Sequence, residues 1–130
     1  MHTLEKTSDS KELPSRIINK AIMTAHTSTQ RFKLGAVVFK KNKILGAAPN
    51  EKRTHPIYGS GKYQCLHAEY NALRRAHLNG HDTEGCDIFV YRTNDNCSKP
   101  CTSCQSRFAE FGVRYVYYVD RNNKIERIWP

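Results

Sequence analysis

Residues 67–79 read His67-Ala68-Glu69-Tyr70-Asn71-Ala72-Leu73-Arg74-Arg75-Ala76-His77-Leu78-Asn79. They are followed by Asp87-Ile88-Phe89-Val90-Tyr91-Arg92-Thr93 and then by Pro100-Cys101-Thr102-Ser103-Cys104. In the first stretch Ala68, Ala72, Leu73 and Ala76 recur at helical spacing, and Gly80 is placed to stop the helix. The second stretch is short and rich in β-formers, which predicts a strand. A further helix is expected over residues 101–111, ended by Gly112, and a strand over residues 113–119, dense in Val and Tyr. Strands joined by a helix run parallel. The alternation of helix and strand therefore sets the class as α/β, with helices packed on a mixed sheet.

Working outward toward the N-terminus, Leu13-Pro14-Ser15 starts a helix with Ser15 as its N-cap. Ile17, Ile18, Ala21, Ile22 and Ala25 give that helix one apolar face. Residues 34–39 and 44–48 are apolar runs separated by a turn at 40–43 that holds Asn42, so they predict a β-hairpin ended by Pro49 and Asn50. Residues 51–64 contain Pro56, Gly59 and Gly61 and read as a loop, of a length that tends to be functional. Toward the C-terminus, Asp120-Arg121-Asn122-Asn123 is a turn before a last strand at 124–129. Four residues cannot carry a crossover helix, so the last two strands must form an antiparallel hairpin. The expected architecture is a three-layer α-β-α fold: a five-stranded mixed sheet, helices on both faces, and the helices bearing His67 and Cys101 on one of them. Residues 1–12 read as a loose arm and 13–130 as one domain.

The chain of 130 residues carries 21 Lys and Arg against 12 Asp and Glu, a net charge of +9. That balance favours anionic partners or serves solubility. The basic residues are scattered, so a continuous polynucleotide track is not established. No stretch approaches the ~18 apolar residues of a membrane span, and the polar N-terminal residues lack the apolar core of a secretory signal. A cytoplasmic setting is the expectation, with no membrane partner. Five cysteines, an odd number, argue against a disulfide framework. In a reducing compartment a Cys-x-x-Cys pair is more often a metal clamp or a redox motif.

Zinc favours nitrogen and thiolate ligands, and a catalytic site keeps three protein ligands and one position for water. Cys101 and Cys104 open a helix, where the dipole favours thiolate and both sulfurs can aim at one point. His67 opens the other helix and can face the same point. Glu69, two residues on, is free to touch water rather than metal. His-x-Glu followed by Pro-Cys-x-x-Cys is the pattern of zinc deaminases. Two other readings fit the cysteines: a closed structural site with Cys65 or Cys97 as fourth ligand, and a thioredoxin-like redox pair, which would leave His67 and Glu69 idle.

On these residues the sequence resembles the cytidine deaminase-like superfamily, from the first helix to the last strand. The resemblance implies that His67, Cys101 and Cys104 bind Zn2+ and that Glu69 moves protons. His67 to Ala72, His-Ala-Glu-x-Asn-Ala, is similar to deoxycytidylate deaminases, and Asn50 matches the residue those enzymes use on the sugar. Two features depart from that subgroup: Lys99 stands where Glu is usual, and the final hairpin is similar to free cytidine deaminases. Among further substrate-binding candidates, Lys52, Arg53 and His55 can meet a phosphate and Tyr63 or Tyr58 can stack on a base. The backbone N–H groups of Ala68 and Cys101 can steady developing charge. The implied reaction is hydrolytic deamination of a cytosine nucleotide or nucleoside to the uracil product. The alternatives are editing of single-stranded DNA or RNA and a non-catalytic zinc-stabilised module, against which the intact Glu69 argues. A homo-oligomer is compatible with these features.

One zinc per chain, held by three side chains, is the expected result of elemental analysis and X-ray absorption. Protein that purifies folded but binds no zinc, or a third sulfur around the metal as its fourth ligand, would contradict this ligand set.

Overall fold

The structure, a computed structural model, describes residues 5–6, 13–51, 68–93, 108–122 and 124–129. Helix α1 (Ser15–Ala25) buries Ile17, Ala21, Thr24 and Ala25. Ser15, expected as its N-cap, is instead the first helical residue, and Pro14 takes the cap position at φ −64° and ψ 144°. The proline ring fixes a φ suited to a helix start, so no side-chain cap is needed to set the chain direction. The Pro14 carbonyl accepts from the N–H groups of Ile17 and Ile18 at 3.1 and 3.3 Å.

Strands β2 (Leu34–Lys40) and β3 (Lys43–Pro49) form the expected hairpin. Its register shifts between Val38 and Phe39, and Lys41 rather than Asn42 takes the left-handed conformation, at φ 56°. Helix α2 (Ala68–Leu78) leads to β4 (Asp87–Arg92). Of the helix expected over residues 101–111, residues 101–107 lie outside the described part. Phe108 is helical and is followed by a 3-10 turn, Ala109–Phe111, ended by Gly112 at φ 77°. Strands β5 (Tyr115–Val119) and β6 (Lys124–Ile128) complete the chain of elements.

Among the described residues the sheet order is β1-β6-β5-β4-β2-β3. β5 and β6 are antiparallel, as the short turn requires, and β4 and β5 are parallel. β3 and β4, linked through α2, run in the same direction but are not neighbours, because β2 lies between them and is antiparallel to both. The five expected strands are all present. A two-residue strand, β1 (Glu5–Lys6), adds a parallel edge pairing to β6 within the stretch expected as a loose arm. No helix of the described residues is long and apolar enough to cross a membrane.

The alternation of side chains along the central strands explains the two apolar layers. Ala36, Val38, Ile88, Val90 and Val116 face α2 and pack with its Ala68, Tyr70, Ala72, Leu73 and Ala76. Val37, Phe39, Phe89, Tyr117 and Val119 face the other way and pack with Leu13, Ile17 and Ala21. β2 is buried along its interior on both faces, which is why its sequence is a continuous apolar run.

Two strand glycines let the helices sit close. A Cβ on Gly46 would lie 2.6 Å from the Ala72 carbonyl oxygen and 2.9 Å from the Ala76 nitrogen of α2. A Cβ on Gly35 would lie 2.5 Å from the Ala25 nitrogen of α1. These obstacles are backbone and cannot swing aside. Gly46→Ala and Gly35→Ala should each destabilise the protein by about 1–3 kcal/mol, the usual range for overpacking, seen as a lower urea midpoint. An unchanged midpoint in both would show that neither helix is seated this closely.

Candidate active site

Glu69 lies in the first turn of α2 and is 3% exposed. A carboxylate there is favoured by the positive end of the helix dipole. Ala68, the first residue of the helix, is also buried. Its N–H is among those that helix geometry leaves without an intrahelical acceptor.

The start of α2 is tied to the end of β3 by polar side chains. Asn71 is fully buried, and its Nδ2 donates to the Pro49 carbonyl and to Glu51 Oε1, both at 3.0 Å. Arg75, one turn further along, donates to the Ala47 carbonyl at 3.1 Å and pairs with Glu51 Oε1 at 3.4 Å. Three points on β3 and just beyond it, Ala47, Pro49 and Glu51, are thereby held by two residues spaced i, i+4 on one helix face. Asn71 Oδ1 is buried without a hydrogen-bond partner.

Asn50 is the second anchor. Its Oδ1 accepts from the Leu34 N–H at 3.0 Å and from Ser28 Oγ at 2.7 Å, and its Nδ2 donates to the Phe32 carbonyl at 2.8 Å. One side chain thus pins the segment between α1 and β2 against the end of β3. Sequence reasoning weighed Asn50 as a sugar contact or as a strand-ending residue, and this bonding is the second kind of work. A cleft of about 460 Å³ opens beside it, lined by Thr27, Ser28, Thr29, Asn50, Glu51 and Arg75 among others. A larger cleft, about 860 Å³, lies at the β2–β3 turn among Arg16, Lys40, Lys41 and Lys43. That turn is at the other end of β3 from Pro49, so it is remote from Glu69.

His67, Cys101, Cys104, Lys52, Arg53 and Tyr63 lie outside the described residues, as do His55 and Tyr58. Among the described residues no group of three His, Cys, Asp or Glu side chains can hold a metal. Cys86 is buried and free, its thiol pushed up to about 12 by burial and then by the neighbouring Asp87 charge. A thiol so raised is a poor nucleophile and a poor ligand, as a buried structural cysteine is.

Sequence reasoning missed the Asn71–Glu51–Arg75 network. The i, i+4 spacing of Asn71 and Arg75 was visible, but the acceptor beyond Asn50 was not.

The sequence model of the cytidine and deoxycytidylate deaminase zinc-binding region matches residues 10–120. The chain belongs to this family. It is 27% identical over 104 residues to the deoxycytidylate deaminase of Enterobacteria phage T2, covering 80% of this chain and 51% of that protein. The chain thus spans about half the length of this relative. It also resembles the dCMP deaminase of cyanophage S-TIM5 in its apo form, with 27% identity and a TM-score of 0.64, covering 85% of this chain and 84% of that one. The structure of the same phage protein in complex with dCMP and dUMP gives 26% identity and a TM-score of 0.61, covering 82% and 79%. A cytidine deaminase from Burkholderia pseudomallei, 20% identical with a TM-score of 0.68 and coverage of 88% and 91%, shares the fold.

Asn50→Ala would leave the Leu34 N–H and the Phe32 carbonyl without their side-chain partner. An unsatisfied group of this kind costs about 1–3 kcal/mol, so the variant should unfold at lower denaturant even with no substrate present. Wild-type stability with impaired substrate binding alone would show that Asn50 has no anchoring role.

Proposed function

We propose that the chain deaminates a cytosine nucleotide hydrolytically, giving the uracil nucleotide and ammonia. The observation that carries this reading is the burial of Glu69 in the first turn of α2, inside a His-x-Glu motif of a zinc-binding deaminase family. The relation to phage deoxycytidylate deaminases supports a cytosine nucleotide as substrate, as does the complex of one of them with dCMP and dUMP.

His67, Cys101 and Cys104 would hold zinc. An imidazole and two thiolates are a donor set suited to it, and the start of α2 next to residue 67 is fixed by the Asn71 and Arg75 bonds. When bound, zinc supplies Lewis acidity that brings the pKa of water toward ~7. Glu69 takes a proton from the attacking water and passes it to the ring nitrogen. As the oxygen bonds to the ring carbon, Glu69 takes the second proton from that oxygen and delivers it to the exocyclic amine, which leaves as ammonia when its C–N bond breaks and the carbonyl forms. A group of this type typically contributes ~10²–10⁴-fold in rate. Its burial keeps bulk water from competing for the proton. Asn50, Lys52, Arg53 and Tyr63 are the substrate-binding residues of this reading, with the Ala68 N–H beside the developing charge.

Glu69→Gln tests the assignment, because Gln keeps the shape and cannot shuttle protons. The variant should keep its zinc content and its unfolding midpoint while losing nearly all turnover of dCMP. Turnover at the wild-type rate would remove Glu69 from the mechanism.

A further inference from the structure

β4 ends in an arginine at the same end of the sheet as Asn50. Ile88 and Val90 belong to the layer that packs on α2, and Arg92 continues their alternation, so it leaves the sheet on the α2 face. Arg92 pairs across the sheet with Leu34, and the Thr93 N–H donates to the Lys33 carbonyl at 3.0 Å. The Arg92 guanidinium carbon lies 4.8 Å over the Phe32 ring, and that of Arg31 lies 5.5 Å from the same centroid. Phe32 itself is 54% exposed. Its carbonyl is the group that Asn50 Nδ2 holds. A continuous path of contacts therefore runs from α2 through Asn71, residues 49–51 and Asn50 to Phe32 and Arg92.

Two features of this rim ask for an anion. Two guanidinium groups share one ring, and among the described residues neither is paired with a carboxylate. In addition, Arg92 Nε is buried and has no hydrogen-bond partner. A buried donor without an acceptor is costly, and one beside a formal charge more so. Contact with the Phe32 ring steadies the guanidinium without using its N–H groups as donors to a carboxylate. A planar fork of N–H donors suits phosphate oxygens taken two at a time.

We propose that Arg92, steadied by Phe32 and assisted by Arg31, binds the 5′-phosphate of the substrate and so selects nucleotide over nucleoside. This rests on the deaminase reading above. The terminal oxygens of a phosphate monoester accept from more than one cation, so Arg31 can share the group with Arg92. The same chemistry would also take a phosphate within a strand. A monoester is the better fit, because two guanidinium groups already lie over the Phe32 ring and compete with a second base for it.

The test uses the zinc-loaded full chain, as wild type, Arg92→Ala, Arg92→Lys and Arg31→Ala. KM and kcat are measured for dCMP, for deoxycytidine and for a short single-stranded oligonucleotide containing cytosine. Arg92→Ala should raise KM for dCMP roughly ten- to a hundred-fold, the worth of one charged hydrogen-bonding group. Its kcat should be nearly unchanged and its KM for deoxycytidine unaffected. Arg92→Lys should recover part of the loss, since it keeps the charge without the fork. Arg31→Ala should move in the same direction by less. A dCMP-to-deoxycytidine ratio equal in wild type and Arg92→Ala would overturn the proposal, as would an oligonucleotide preferred over dCMP and lost with Arg92. If Arg92→Ala does not fold, Arg92→Lys gives the same comparison. If the wild type turns over neither monomer, the deaminase reading fails first. Calorimetric binding of dCMP against deoxycytidine then decides this inference: tighter binding of dCMP that depends on Arg92 supports it, and equal or absent binding refutes it.

Discussion

The close seating of α2 on β3 is the constraint on which the rest depends. Gly46 has no side chain, so the backbone of α2 at Ala72 and Ala76 can approach the strand more closely than any Cβ would allow. Asn71 and Arg75 then bind the strand's own carbonyls and the carboxylate just past it. A helix held by close packing and by directional bonds has little freedom to slide or rotate. Its first turn is therefore placed with respect to the strand ends, and Glu69 sits in that turn. The opposite face of the sheet repeats the device with α1 over Gly35.

Polar side chains at this end of the sheet do what apolar packing cannot. Apolar contacts are non-directional, whereas a buried amide with its acceptors fixes an orientation. Asn50 ties three residues of the 28–34 stretch to the end of β3 through one side chain, and Glu51 joins Asn71 and Arg75. Arg92 and Phe32 extend the same region outward to the surface. The interior thus becomes more polar toward the end of the sheet where the family motif begins.

Much of this architecture is legible in the sequence because local rules decide it. The four residues at 120–123 are too few for a crossover, which forces the antiparallel β5–β6 pair. The doubly apolar run of β2 announces a strand covered on both faces. Other features depend on partners distant in sequence. A strand glycine reads only as a weak strand residue until a helix is laid over it, so Gly35 and Gly46 gave no warning. The bonds of Asn50 depend on where residues 28–34 return, and β1 depends on a partner strand more than a hundred residues away. Ser15 lost the cap to Pro14 because both satisfy a helix start and only the backbone angles decide between them. At the candidate site, the motif singles out Glu69 and the candidate metal ligands directly. The residues that fix the start of α2 could not be named, since no motif records the acceptors of Asn71 and Arg75.

The central claim is that this scaffold carries out zinc-dependent deamination of a cytosine nucleotide. Its most direct test is product analysis by mass spectrometry after incubation of dCMP with the purified full chain, in paired samples that are zinc-loaded and metal-stripped by a chelator. The account predicts conversion to dUMP with release of ammonia in the zinc-loaded sample, little conversion in the stripped one, and recovery when zinc is returned. Unaltered dCMP in a folded, zinc-loaded sample would contradict it, and so would conversion that is indifferent to the metal.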